Sequence, residues 1–418
     1  MRIKEINIKG LFGMFDHDIS LNLENHITII YGINGIGKTM FFKILDCFFN
    51  SKFSQLVKKP FEELNIHYND NSFFKLSNEK SKFFIYFFDK KGKKEYTFDL
   101  SKYKDNKNDL RIPKDNRFSD MLPTESLKRA VKIKNIKELE KLIRQLKLYF
   151  IETQRLIKFN PYYRRNISSH SSMNIRRQQS NFKIDTVKNY SEDLSRIIQE
   201  KHNEYSRLSE KLELSLGKRL MNKKIETIIT NIQELKKENK KLEKSRNEFK
   251  SVGLFEDAIE EKFNIPDDID TLTHAVLSVN IHDMKEKLKI FDELYAKLNI
   301  FLDILNNKRF SYKQISIHPR KGFVFKNANE KPLEVTDLSS GEQHEIVMFY
   351  ELLFRVPETS LVLIDEPEIS LHIAWQKDFL NDMSEIVKIR NFDILIATHS
   401  PSIIDGNWNL TVELQKQQ

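Results

Sequence analysis

Residues 26–39 read HITIIYGINGIGKT. The opening HITIIY is a compact β-branched run, the composition of a strand buried on both faces. The turn that follows, Gly32 to Thr39, has the spacing G-x-x-x-x-G-K-[ST]. Glycines there let the backbone curl until successive N–H groups point inward at phosphate oxygens. Met40 to Phe49 then reads as a buried helix whose positive N-terminal end adds to the anion site. In this strand–turn–helix context Gly32, Asn34, Gly35 and Gly37 form a phosphate cradle. Lys38 is expected to reach the β- and γ-phosphates of a nucleotide, and the Thr39 hydroxyl to ligate Mg²⁺.

Working outward, a second apolar strand, SLVLI (360–364), ends in Asp365-Glu366. A carboxylate at that strand tip is expected to hold Mg²⁺, and Glu366 to orient and polarise an attacking water. Phosphoryl transfer requires little else from a protein beyond positioning and charge neutralisation. A third apolar strand leads into ILIATHSPS (394–402), with His399 at its tip. Gln154, after the short strand YFIET (149–153), is a candidate contact to metal or water, with Arg155 as its rival. Phe12 and Phe15 are candidates for stacking on a nucleobase.

The chain has 418 residues, 39% hydrophobic and 31% charged, enough apolar content for two or three cores. Its single cysteine, Cys47, excludes an internal disulfide framework and a four-cysteine zinc site, and suggests a reducing, cytoplasmic setting. No apolar run approaches the roughly 20 residues of a bilayer span, so no membrane partner is expected. Lys and Arg number 69 against 60 Asp and Glu, a net +9. That suits nucleic acid or an acidic partner, and equally a lysine-rich solvated surface.

The strand-rich character is interrupted. FFIYFF (83–88) and EYTFDL (95–100) flank the basic turn DKKGKK (89–94), a hairpin. Residues 156–184 are basic and without periodicity, a linker or loop. Between 185 and 307, Ile225, Ile228, Ile232, Leu235, Leu242 and Phe249 keep heptad spacing, as do Leu288, Phe291, Tyr295, Leu298, Leu302 and Leu305. Narrow apolar seams on charged helices indicate a coiled coil, here read as an antiparallel arm. Strands resume after Phe310. The expected organisation is residues 1–155 and 308–418 as two halves of one α/β domain, split by the arm.

The segment Leu338-Ser-Ser-Gly-Glu-Gln343 resembles the signature of ABC-type ATPases, in the branch that includes SMC proteins and related DNA-repair ATPases. The resemblance covers both head halves and is weak across the arm. It implies an ABC-type head: a P-loop NTPase with a mixed sheet, an antiparallel β subdomain and a coiled-coil insertion. It also implies ATP and Mg²⁺ as ligands and Asp365 as the metal carboxylate. His399 becomes the switch histidine sensing the γ-phosphate. Ser340 and Gly341 would act on the nucleotide of a second subunit, hence a homo-oligomer of at least two heads.

The EPEISLH run (366–372) is similar to OLD-like and defence-associated ATPases rather than transporters. The C-terminal third most resembles the ATPase component of PARIS antiphage systems, with Septu and retron-associated ATPases close behind. That resemblance implies a ring-like oligomer, such as a hexamer, that holds a Toprim-type nuclease effector. It would release the effector on meeting a phage trigger protein, in some cases an acidic DNA mimic. Only 19 residues follow His399 and no nuclease constellation is visible, so this chain itself is expected not to cut nucleic acid. The alternative implication is an SMC-like repair ATPase that clamps DNA.

Overall fold

In the computed structural model the described residues are 1–79, 82–99, 136–152, 175–221, 231–256, 265–369 and 371–414. They fall into two compact units. One comprises residues 1–156 and 355–418, the other residues 157–354.

The first unit is built on two sheets. A parallel sheet has the order β14-β3-β13-β12-β8, with β3 at Ile27–Tyr31, β8 at Leu148–Glu152, β12 at Leu361–Asp365, β13 at Asp393–Thr398 and β14 at Thr411–Glu413. The expected buried runs occupy it: every residue of β13 and the first four of β3 and β12 are buried. A six-stranded antiparallel sheet has the order β2-β1-β4-β5-β6-β7. Its strands are β1 (Ile3–Leu11), β2 (Phe15–Ser20), β4 (Glu63–Tyr68), β5 (Phe73–Glu79), β6 (Lys82–Asp89) and β7 (Gly92–Asp99). Their side chains alternate in burial, as a sheet with one covered face requires. The basic hairpin forms with Asp89 opposite Gly92, so Lys90 and Lys91 make the turn.

Helix α1 (Lys38–Phe49) carries Phe41, Phe42, Ile44, Leu45 and Phe48 into a core shared by both sheets, each with no exposed surface. Each such side chain contributes about 1.5–3 kcal/mol on burial. That packing holds the start of α1, and hence the turn before it, against the parallel sheet.

The second unit holds a three-stranded antiparallel sheet, β11-β10-β9, with β9 at Lys313–His318, β10 at Gly322–Asn327 and β11 at Pro332–Leu333. Its helices are α2 (Ile175–Met221), α3 (Ile232–Ser251), α4 (Thr271–Leu288), α5 (Asp292–Asp303) and α6 (Ser340–Tyr350). Residues 308–354 therefore pack with the helices, at a boundary later than the expected 307/308.

The helical insertion is present, but its two heptad runs do not pair antiparallel. Lys285 reaches Glu238 at 3.3 Å, while Phe249 packs on Phe291 and Tyr295. Positions on α3 thus rise together with those on α4 and on α5 beyond it, so α3 runs parallel to both. Both α3 and α4 oppose α2: Arg219 binds Asp283 at 2.6 Å, Glu213 lies near Lys287, and His202 meets Phe291. The reason is a crossover. After α3 the chain turns at Gly253, where a Cβ would lie 1.9 Å from the Ile317 carbonyl oxygen. It then returns to the start of α3, where Asp267 pairs with Lys236 and Ile265 joins Leu235 and Ile281. Heptad spacing reports which face is apolar and is silent on direction, so it could not separate these pairings. Ile225 and Ile228 of the expected seam lie outside the described residues.

Candidate functional site

Parallel pairing brings the ends of three adjacent strands to one edge. Tyr31 of β3 is level with Thr398 of β13, and Asp365 of β12 with Ala397. The loops leaving these ends carry the phosphate turn, Asp365-Glu366 and His399. This is the edge at which open α/β sheets bind ligands.

The turn behaves as its composition demands. Gly37 has φ 102°, and a Cβ there would lie 2.4 Å from Leu11 Cδ2. Only glycine fits both constraints. Ile33, Asn34 and Gly35 face solvent, Ile33 at 70% exposure. Gly32 gives its carbonyl to Lys38 Nζ at 2.7 Å. Nζ also lies 3.2 Å from His399 Nδ1. An ammonium can only donate, so Nδ1 accepts and Nε2 carries the proton. Nε2 faces Glu366 Oε1 at 3.6 Å. Burial lowers the Lys38 pKa from its ordinary value, opposed by the charges of Glu366, Glu368 and Asp365.

Thr39 Oγ1 donates to Asp365 Oδ1 at 3.2 Å. Two hard oxygen donors side by side suit Mg²⁺, so the residues fit the expected metal. Glu366 is in the left-handed region, φ 48°, with its N–H on Ala397 O at 2.7 Å. A non-glycine residue held there is strained, as side chains at reactive positions often are.

The structure thus gathers Gly32, Gly37, Lys38, Thr39, Asp365, Glu366 and His399, with Asn34 and Gly35 on the open side of the turn. Gln154 and Arg155 lie outside the described residues. Phe15 is buried and stacks on His17. Phe12 is 41% exposed, and its ring lies 3.4 Å from the position of a Gly37 Cβ. Of the two aromatic candidates, only Phe12 presents a ring beside the turn.

Ser340 and Gly341 are in the second unit, at the start of α6. The N-cap is Ser339, whose Oγ accepts from Glu342 N at 3.2 Å while Glu342 Oε2 accepts from Ser339 N at 2.6 Å. This reciprocal box holds the helix start, where first-turn N–H groups lack intrahelical partners. Lys313 Nζ binds Glu342 at 2.8 Å. The root of α6 is tied down by a fully buried pair, Arg309 Nε to Glu345 Oε2 at 2.8 Å, and by Tyr350 donating to Asp193 of α2 at 2.8 Å. Sequence reasoning missed Ser339, although S-x-x-E ahead of an apolar run is a capping signal. It also missed Glu368, which accepts the His399 N–H at 2.7 Å. The hint was a second carboxylate two residues beyond Glu366.

Comparison with known proteins adds four findings. A family model described as AAA ATPase domain matches residues 1–404. The protein ea59 of Escherichia phage lambda is 45% identical over 69 residues, 16% of this chain and 13% of the length of ea59. Among solved structures, an Smc head domain with an extended coiled coil from Pyrococcus furiosus, bound to the C-terminal domain of ScpA, aligns at TM-score 0.39 and 13% identity. That alignment covers 100% of this chain and 94% of the other. A second Smc head, bound to the C-winged helix domain of ScpA, aligns at TM-score 0.42 and 10% identity, covering 97% and 92%.

Proposed function

This chain belongs to the AAA ATPase domain family, and from that premise we propose that it hydrolyses ATP at the turn of residues 32–39, using ATP-driven pairing of two copies as a switch. The observation that carries the reading is the convergence of Lys38, Thr39, Asp365, Glu366 and His399 at one sheet edge.

In this reading Lys38 exchanges its bond to Gly32 O for phosphate oxygens. Thr39 and Asp365 would hold Mg²⁺, which would supply charge neutralisation for the phosphates. Glu366 orients a water whose oxygen bonds to the γ-phosphorus as the bond to the β–γ bridging oxygen breaks. ADP leaves with that electron pair and Glu366 takes the proton from the water. His399, its Nε2–H directed toward this space, donates to the γ-phosphate. Phe12 is the ring available to the base. Ser340 and Gly341 meet the γ-phosphate of a second copy through the N-terminus of α6. Closure of the pair completes each site, and the helical insertion carries the change to partners.

The wider role follows from the resemblance to defence ATPases. The chain is a sensor and scaffold that holds a separate nuclease effector and releases it when a phage trigger protein binds. A DNA-clamping repair role is the second reading. It is favoured by the net +9 charge and by the exposed Lys237, Lys240, Lys241 and Lys244 on α3.

The test is to purify Glu366→Gln from its native operon with ATP and Mg²⁺ and to identify what accompanies it. A stoichiometric nuclease-type protein supports the scaffold. DNA alone, with affinity falling steeply in salt, supports the clamp.

A further inference from the structure

The loops after β12 and β13 are stitched together at three points. Glu366 N–H donates to Ala397 O at 2.7 Å. Next along, the Glu368 side chain accepts the main-chain N–H of His399 through Oε1 at 2.7 Å. Third, Gln376 receives the Ser400 hydroxyl on its Oε1 at 2.9 Å. The Gln376 amide also donates to the carbonyls of Glu368 at 3.3 Å and Leu371 at 3.4 Å.

Glu368 is the part of this stitching that the proposed reaction does not use. Its Oε2 is buried without a hydrogen-bond partner among the described residues, which is costly for a carboxylate oxygen. A side chain that merely terminated the turn Pro367–Ile369 would gain nothing from that position. The residue it holds is His399, whose ring touches Lys38 on one side and faces Glu366 on the other. Main-chain placement at His399 therefore sets both distances.

We propose that Glu368 is a positioning residue for ATP hydrolysis, locking the main chain at His399 so that the imidazole spans Lys38 and Glu366, with Gln376 making the two loops move as one body. The inference rests on the hydrolytic reading above. The bond is charge-assisted and short, and the γ-phosphate-sensing ring hangs from the same residue whose N–H it holds. Releasing it lets the ring drift by the order of an ångström, enough to cost roughly 10- to 100-fold in rate. Nucleotide affinity, which depends on the turn of residues 32–39, is left in place.

The experiment is steady-state ATP turnover with Mg²⁺ by the full chain, comparing wild type, Glu368→Ala, Glu368→Gln, Glu368→Asp and Gln376→Ala, each with its Tm. Glu368→Ala is expected to lower kcat roughly 10- to 100-fold with KM within about twofold of wild type. Glu368→Gln keeps an acceptor at the same reach and is expected to restore most of kcat. Glu368→Asp is one methylene short and is expected to behave like alanine. Gln376→Ala, which leaves the Glu366 and Glu368 bonds intact and removes only the third stitch, is expected to fall between.

Full kcat in Glu368→Ala overturns the proposal. So does rescue by aspartate and not by glutamine, which would assign the effect to charge near Lys38. A loss of kcat that tracks a fall in Tm across all variants also overturns it. Absence of turnover by the wild type overturns the hydrolytic reading and this inference together. Should Glu368→Ala fail to fold, Glu368→Asp and Gln376→Ala carry the same comparison.

Discussion

At the scale of single residues, Lys38 has its charge disfavoured by burial and sustained by three nearby carboxylates. Removing it leaves the negative charges of Asp365, Glu366 and Glu368 near the phosphate site without that counter-charge. Lys38→Ala is therefore expected to abolish ATP binding, read by equilibrium dialysis or fluorescent-nucleotide titration. Micromolar affinity retained by the mutant would contradict the site. Glu366→Gln preserves shape but accepts no proton. It should hold ATP through many wild-type turnovers, and equal nucleotide release rates in the two proteins would count against that role. Gly37→Ala tests the backbone. With φ 102° and Leu11 Cδ2 2.4 Å from the new methyl, the turn must distort, so nucleotide affinity should fall even though no ligand group is lost. These residues were legible in sequence because their chemistry is local. A cradle, its lysine and its hydroxyl lie within one turn.

At the scale of elements, the start of α6 offers a stability test. Ser339→Ala removes the N-cap and should cost about 1 kcal/mol, seen as a lower denaturation midpoint. Burial would raise the Glu342 pKa, but hydrogen bonds from Lys313 and Ser339 outweigh it, so it lies below the ordinary 4.5. A carboxylate lowered on folding stabilises the fold above its unfolded pKa, and that contribution is lost as pH falls through the folded value. Glu342→Gln should therefore have a lower Tm than wild type at pH 7, with the gap closing below pH 4.5. A gap independent of pH would assign the loss to packing. The capping box was legible as S-x-x-E. The ion pair with Lys313 was not, because β9 and α6 meet only through tertiary packing.

At the scale of the molecule, the second unit joins its insertion to α6 through buried polar contacts. Arg309 and Glu345 have no exposed side-chain surface. Removing one member of a buried ion pair typically costs about 3–5 kcal/mol, while replacing both with apolar residues can be near neutral. Glu345→Ala should be strongly destabilising in denaturant unfolding, and the double variant Arg309→Met with Glu345→Leu much less so. Equal losses would show that the pair is not a buried charge unit. ATP-driven pairing is tested at this scale too. Glu366→Gln with ATP and Mg²⁺ should double in mass by light scattering, and Ser340→Arg, which crowds the start of α6, should stay monomeric.

What the sequence determined by itself was whatever short-range pattern encodes: the glycine-rich turn between a strand and a helix, the carboxylates after an apolar strand, the basic hairpin, and the apolar faces of long helices. Residues that must act within one loop, or repeat along one face, leave a local record. The tertiary structure decided the rest. It chose the parallel course of α3 and α4, because apolar spacing is the same in either direction and only the crossover through Gly253 and Asp267 selects one. It placed residues 308–354 with the helices, through contacts such as Tyr350 to Asp193 that span long stretches of chain. It brought Glu368 to the His399 N–H, a bond between two strand ends that are adjacent in the sheet and 31 positions apart in the chain. Pairings of that kind depend on which strands become neighbours, a choice made by the packing of the whole core.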